Sequence, residues 1–443
     1  MILLLKTHSI ALFSLLVFSP VFLSISPESS VVFNRIIGDN YNWVATVPIS
    51  IIASLIFLTY NSRKVITTIP KFFLLFLVYL CISILILYFS GNNEVDFSAI
   101  KTAVFMAMFV VFFYGFKYYF GKNFDKSISL ERAENRYILY PLSLVLLATL
   151  LSNFFIIAEP YNITGLNSEY LKPIQYGQPY AMQPQTGEPS QISPFAGVPE
   201  VMTPSVTGGS AFLASNITIY NFEQYFALVF ILLLSVAARL NFPYLLIITI
   251  ASFYLALETE NRSALVMMSL MCIYYLINKI ITPTLSGLFY KIVRNLIIIF
   301  PVLYLIAMFF FIDINILDRS LYARYSYIQG YFNSVHWYHI FLPISEEARL
   351  PTADMHNEVL EIFNATALLG LIGYYYFIYH QIKSFSIRYR MQSISLLLLI
   401  FVGATMTGNT THMYLLAIFT YLIAFYVMAS RKEKKLIDRS AVK

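Results

Sequence analysis

Long, continuous apolar runs separated by short polar breaks extend along nearly the whole chain. The runs do not alternate apolar and polar residues, so they predict helices rather than strands. A hydrocarbon core of about 30 Å takes about 20 apolar residues per helix, and a backbone in lipid must satisfy its polar groups internally. About 12 runs qualify, starting near residues 8, 41, 72, 102, 137, 222, 243, 263, 295, 358, 391 and 412. The expected fold class is all-α: a polytopic integral membrane protein of about 12 transmembrane helices with two larger outer segments. Helices 1–5 occupy residues 1–158, the first outer segment 159–221, helices 6–9 residues 222–312, the second outer segment 313–357, helices 10–12 residues 358–430, and a basic tail 431–443.

Composition agrees with that reading. Of 443 residues, 58% are hydrophobic and only 12% charged, against roughly 25% charged in an average soluble domain. The net charge of +6 is dispersed in short clusters between apolar runs, which marks topology and gives no support to nucleic acid as a partner. Lys and Arg are retained on the cytoplasmic side of a membrane. Counting alternate loops places 22 of the 29 on one side together with both termini, and 18 of the 23 carboxylates on the other. The inner face is therefore strongly positive, and the few outer arginines need a separate explanation. The first run is read as a span rather than a signal peptide, because Pro27-Glu28-Ser29-Ser30 follows it without a small-x-small cleavage site. Cys81 and Cys272 lie inside apolar runs and are read as core residues, not as a disulfide.

Candidate chemistry collects on the outer side. His356-Asn357-Glu358 stands where the second outer segment meets span ten, with Gly370 and Gly373 further along that span. A histidine fixed there, with an unperturbed pKa of about 6.5, suits general-base work; the alternative is a helix cap, a role for which Asn357 is well suited. Arg262, in the turn Glu258-Thr259-Glu260-Asn261-Arg262-Ser263, offers the guanidinium fork that matches phosphate oxygens; the alternative is a salt bridge to Glu258 or Glu260. Asp318 to His339 combines Arg319 and Arg324 with Tyr327, Tyr331, His336, Trp337, Tyr338 and His339. It reads as a sugar- and phosphate-binding stretch or as an interfacial aromatic belt. No Walker A loop, His-Glu-x-x-His, Cys-x-x-Cys or Gly-x-Ser-x-Gly occurs. Neither a metal nor another cofactor is expected.

These motifs resemble the O-antigen ligase and O-antigen polymerase family of bacterial inner-membrane glycosyltransferases. The family hallmark is His followed by Asn, Ser or Gln, then nine residues, Gly, two residues and Gly, Thr or Tyr. Here His356-Asn357 precedes nine residues ending at Thr366, then Ala367, Leu368, Leu369 and Gly370, with Ala367 where the family usually has Gly. Glu260-Asn261-Arg262-Ser263-Ala264-Leu265 looks like the start of its conserved region, and Arg324 to His339 is similar to its arginine-plus-aromatic stretch.

The resemblance spans roughly residues 207–371. It implies metal-independent inverting transfer of a glycan from undecaprenyl pyrophosphate to a sugar hydroxyl, in the bacterial inner (cytoplasmic) membrane with both termini cytoplasmic and both larger segments periplasmic. His356 would be the catalytic base, with Arg262 and Arg324 on the pyrophosphate. Arg319, Tyr327, His336, His339 and Asn357 are second-rank candidates. Implied partners are the undecaprenyl-pyrophosphate-linked glycan, membrane lipid, a chain-length regulator and a flippase. Two sizeable outer segments favour a polymerase over a ligase, which would move finished polymer to lipid A–core. A flippase or exporter without chemistry is the rival from another class.

Overall fold

The computed structural model describes residues 69–90, 97–123, 129–139, 234, 246, 249–250, 252–253, 262–310, 335–343, 357–403, 405 and 413–441. Regular structure among these is helical throughout, with no strand. We number the helices α1 (Lys71–Ser90), α2 (Phe97–Asn123), α3 (Leu130–Glu134, running into a π turn Asn135–Leu139), α4 (Arg262–Ile280) and α5 (Pro283–Phe310). After a 3-10 turn, Trp337–Ile340, come α6 (Glu358–Lys383), α7 (Arg390–Leu397, running into a π turn Leu398–Gly403) and α8 (Met413–Ala441). Four stretches among the described residues are long and apolar enough to cross a membrane: Lys71–Phe89, Thr102–Gly121, Leu285–Ala307 and Glu358–Lys383. The chain is a helical membrane protein.

Aromatic interlocking around α2 forms the core. Phe109 and Phe113 of α2 pack edge-on to Phe377 of α6, and Phe116 and Phe120 pack edge-on to Tyr421 of α8. Such T-shaped pairs bring a positive ring edge to a negative face and contribute about 0.5–1.5 kcal/mol each beyond burial. α2 is accordingly the inner helix, with 61% of its spanning window buried, against 11% for α5. The outer surfaces of α1 and α5 show Leu75, Phe89, Leu288 and Leu296, apolar patches that call for lipid rather than water.

Contacts also fix the helix directions. Phe73, Phe76 and Tyr79 of α1 meet Phe377, Gly373 and Thr366 of α6 in turn, so α1 and α6 are antiparallel. α2 runs parallel to α8, since Phe116 meets Tyr421 while Gly121 lies against Met428. Asn278 of α4 reaches Met391 of α7 while Met267 lies against Gly403, which makes that pair antiparallel. Among the described helices, the ends that the loop count assigns to the basic side thus fall at one end of the bundle. Leu87, Ala99 and Ala365 pack together at the other.

The span expected near residue 295 begins at Pro283, about three turns earlier at 3.6 residues per turn, because Lys291 and Arg294 lie within a continuing helix. α2 begins at Phe97, and its spanning stretch begins at Thr102, where the sequence places it. α8 carries helix into the basic tail as far as Ala441. Cys81 and Cys272 are both free thiols, but neither is a core residue: Cys81 is exposed and Cys272 half-buried. Spans starting near 8, 41 and 222, and the outer segment 159–221, lie outside the described residues apart from Leu234.

Candidate functional site

The helix that follows His356 is set up by its cap. Asn357 is extended, and its side-chain carbonyl accepts the Leu360 N–H at 3.3 Å. Its backbone carbonyl accepts from Leu360 and Glu361. The cap role weighed for Asn357 in the sequence is therefore realised. Glu358 and Glu361 in the first turn complement the positive end of the helix dipole. Asn357 is almost wholly buried, and its Nδ2 has no hydrogen-bond partner among the described residues.

Nine residues into α6 the helix breaks. Ala367 has φ 54° and ψ −172°, a region that residues with a Cβ reach only at a cost of about 1–3 kcal/mol. In a regular helix the Thr366 carbonyl would accept from the N–H of Gly370. Instead the Tyr79 hydroxyl of α1 donates to the Thr366 oxygen at 2.6 Å and contacts the Gly370 backbone. The Thr366 hydroxyl turns back to the Ile362 carbonyl at 2.7 Å. The break leaves no room for side chains: a Cβ at Gly370 would overlap the Thr366 side chain, and one at Gly373 would stand 2.5 Å from the Phe76 ring. Both glycines therefore serve close helix packing, and the conformation at Ala367 is a feature that the sequence does not signal.

The loop segment 335–343 packs against α6, and the Phe341 carbonyl lies 3.2 Å from the same Tyr79 hydroxyl. Phe341 therefore sits level with Thr366, about 12 Å along α6 from Glu358 at 1.5 Å per residue. Within the segment, the His336 backbone N–H donates to His339 Nδ1 at 2.9 Å, which leaves the proton of a neutral His339 on Nε2. That nitrogen is buried and has no hydrogen-bond partner among the described residues. Burial, and to a smaller extent the neighbouring His336, hold the His339 imidazole below its ordinary pKa. His336 stacks on Tyr338 at 5.4 Å, while Trp337 is 78% exposed; both the aromatic-belt and sugar-binding readings suit such a surface.

Of the residues singled out in the sequence, Asn357, His336 and His339 belong to α6 and the segment packed on it. Arg262 is the first residue of α4. His356, Arg324, Arg319 and Tyr327 lie outside the described residues. Tyr79 was not singled out. It is one of 34 tyrosines, in an apolar run with no motif around it, and only the fold makes it the neighbour of both Thr366 and Phe341. No group of three or more His, Cys, Asp or Glu among the described residues is arranged to hold a metal. Comparison of the chain with known protein families, curated proteins and solved structures finds no match.

Proposed function

We propose that the protein is a membrane-embedded O-antigen (surface polysaccharide) polymerase of about 12 transmembrane helices, with both termini cytoplasmic. On this reading it joins undecaprenyl-pyrophosphate-linked oligosaccharide repeat units at the periplasmic face of the bacterial inner membrane. The observation that carries the reading is the backbone of Ala367. It is the position at which the helix after His356-Asn357 departs from the family motif, and it adopts φ 54°, where glycine, the family's usual residue, meets no Cβ penalty. Packing of the His336–His339 segment on the same helix adds support, as does the collection of basic helix ends at the opposite end of the bundle.

The chemistry needs no external energy source. An acceptor hydroxyl oxygen attacks the anomeric carbon as the bond to pyrophosphate breaks, inverting that centre, and undecaprenyl pyrophosphate leaves with the electron pair. His356 takes the hydroxyl proton, a contribution of roughly 10²–10⁴-fold. Arg262 and Arg324 neutralise the leaving group, and fixed positive charge at such a point usually lowers a barrier more than any other single effect.

Polymer formation by His356→Ala protein at normal membrane abundance tests the reading. Loss of polymer is expected, and undiminished polymer would sink it. Gel electrophoresis of surface polysaccharide from a deletion strain separates the two activities of the family. Core carrying a single repeat identifies a polymerase, whereas bare core with accumulating lipid-linked polymer identifies a ligase. Conversion of lipid-linked repeats by the purified protein alone excludes a flippase.

A further inference from the structure

Towards their connected ends the hairpins α4–α5 and α6–α7 carry six cations, Lys279, Lys291, Arg294, Lys383, Arg388 and Arg390, yet residues 262–312 and 362–432 contain no Asp or Glu. Three of the six converge on two rings. Arg294 and Arg390 lie against Tyr290 at 5.7 and 5.8 Å, and Arg294 and Lys383 against Tyr379 at 5.9 and 5.8 Å. Arg390 also donates to Ser286 Oγ at 3.1 Å, and Tyr290 Oη is 2.9 Å from Ser393 Oγ, so three helices hold the cluster together.

Among the described residues, no ion pair joins these cations to a carboxylate, and Glu134, at the same end of the bundle, is held by other partners. Arg390 and Ser393 address α5, whereas Gln392, on another face of α7, donates to Glu134 together with Tyr426 of α8. Glu433 and Asp438 ride on α8. Like charges gathered on shared rings repel one another unless an anion lies among them. The rings and polar contacts, Arg294 Nε and Nη2 to Asn295 Oδ1 at 3.4 and 3.3 Å and Arg390 Nη1 to Ser286 Oγ, hold the guanidinium groups in place. Arg294 Nη1 and Arg390 Nε and Nη2 keep N–H groups for phosphate oxygens. Beside the cluster, Leu285, Leu288, Ile292, Leu296 and Ile299 form an exposed apolar row along α5.

We propose that Arg294, Lys383 and Arg390, with Tyr290 and Tyr379, form a binding site for the phosphodiester group of an anionic phospholipid, whose acyl chains lie along the exposed row of α5. Free phosphate offers the same oxygens, but only a lipid uses the apolar row.

The test compares binding of phosphatidylglycerol, phosphatidylcholine and inorganic phosphate to the purified full-length protein by native mass spectrometry. Each basic residue near a membrane surface strengthens anionic-lipid binding by about five-fold. The variant combining Arg294→Gln, Lys383→Gln and Arg390→Gln is therefore expected to lose phosphatidylglycerol affinity by on the order of 100-fold, with phosphatidylcholine binding unchanged. Replacing Lys432, Lys434 and Lys435 of α8 by Gln removes the same charge elsewhere and should leave most of the affinity. Equal losses in the two triple variants would overturn the site. So would equal binding of the two lipids by the unaltered protein, or inorganic phosphate binding as well as phosphatidylglycerol. Should the first triple variant not fold, Lys383→Gln alone, at an exposed position, is expected to lose about five-fold, and no loss would count against the proposal.

Discussion

The Tyr79 hydroxyl of α1 donates to the Thr366 carbonyl of α6 at 2.6 Å, at the point where α6 breaks. One side chain thereby occupies a gap in another helix's hydrogen-bond ladder and also lies 3.2 Å from the loop carbonyl of Phe341. Tyr79→Phe keeps the ring and removes the donor. A buried acceptor left without its partner costs about 1–3 kcal/mol, so this variant should show a clear fall in apparent melting temperature in detergent. An unchanged transition would mean that water or a rearranged α6 replaces the hydroxyl.

Ala367→Gly should act in the opposite direction. At φ 54° the Cβ is the source of the penalty, and its removal is expected to stabilise the protein by about 1 kcal/mol. Ala367→Val should destabilise it, because a β-branched residue suits positive φ least. The order Gly, Ala, Val in melting temperature is the outcome to check.

His339 links the segment 335–343 to pH. Burial depresses its folded-state pKa, so the free segment binds the proton more readily than the packed one. Packing is then favoured at neutral pH and weakens as pH falls from about 6.5 toward the depressed value. Trp337 is one of only two tryptophans, and in a Trp43→Phe background its emission reports the segment alone. A shift between pH 7 and pH 5 is expected in that protein, and the same shift after His339→Gln would assign the transition to another group.

Glu134 anchors the basic end of the bundle. Its Oε1 accepts from both Gln392 Nε2 and Tyr426 Oη at 3.2 Å. Glu134→Ala strands two buried donors, at about 1–3 kcal/mol each, whereas Glu134→Gln keeps a carbonyl acceptor. Thermal unfolding should rank native above Gln above Ala, with the larger step between Gln and Ala.

Much of the bundle was legible in the sequence because lipid imposes a simple rule on composition. The starts expected near 72, 263, 358, 391 and 412 fall within a residue of Lys71, Arg262, Glu358, Arg390 and Met413. α5 begins well before residue 295 because Arg294 lies against Tyr290 and Tyr379 and the helix runs on through its charged residues. Asn357 was legible as a cap because capping is local. Tyr79, Ala367 and Glu134 were not, since their roles depend on partners up to 292 positions away or on a backbone angle that alanine ordinarily avoids.

The contact between Tyr79 and Thr366 joins positions 287 residues apart, so α6 draws one of its backbone hydrogen bonds from a helix made much earlier. A fragment beginning after α1 would carry His356, Arg262 and Arg324 and still lack the hydroxyl that fills the break in α6. Co-expression with the missing amino-terminal piece should restore what that fragment loses.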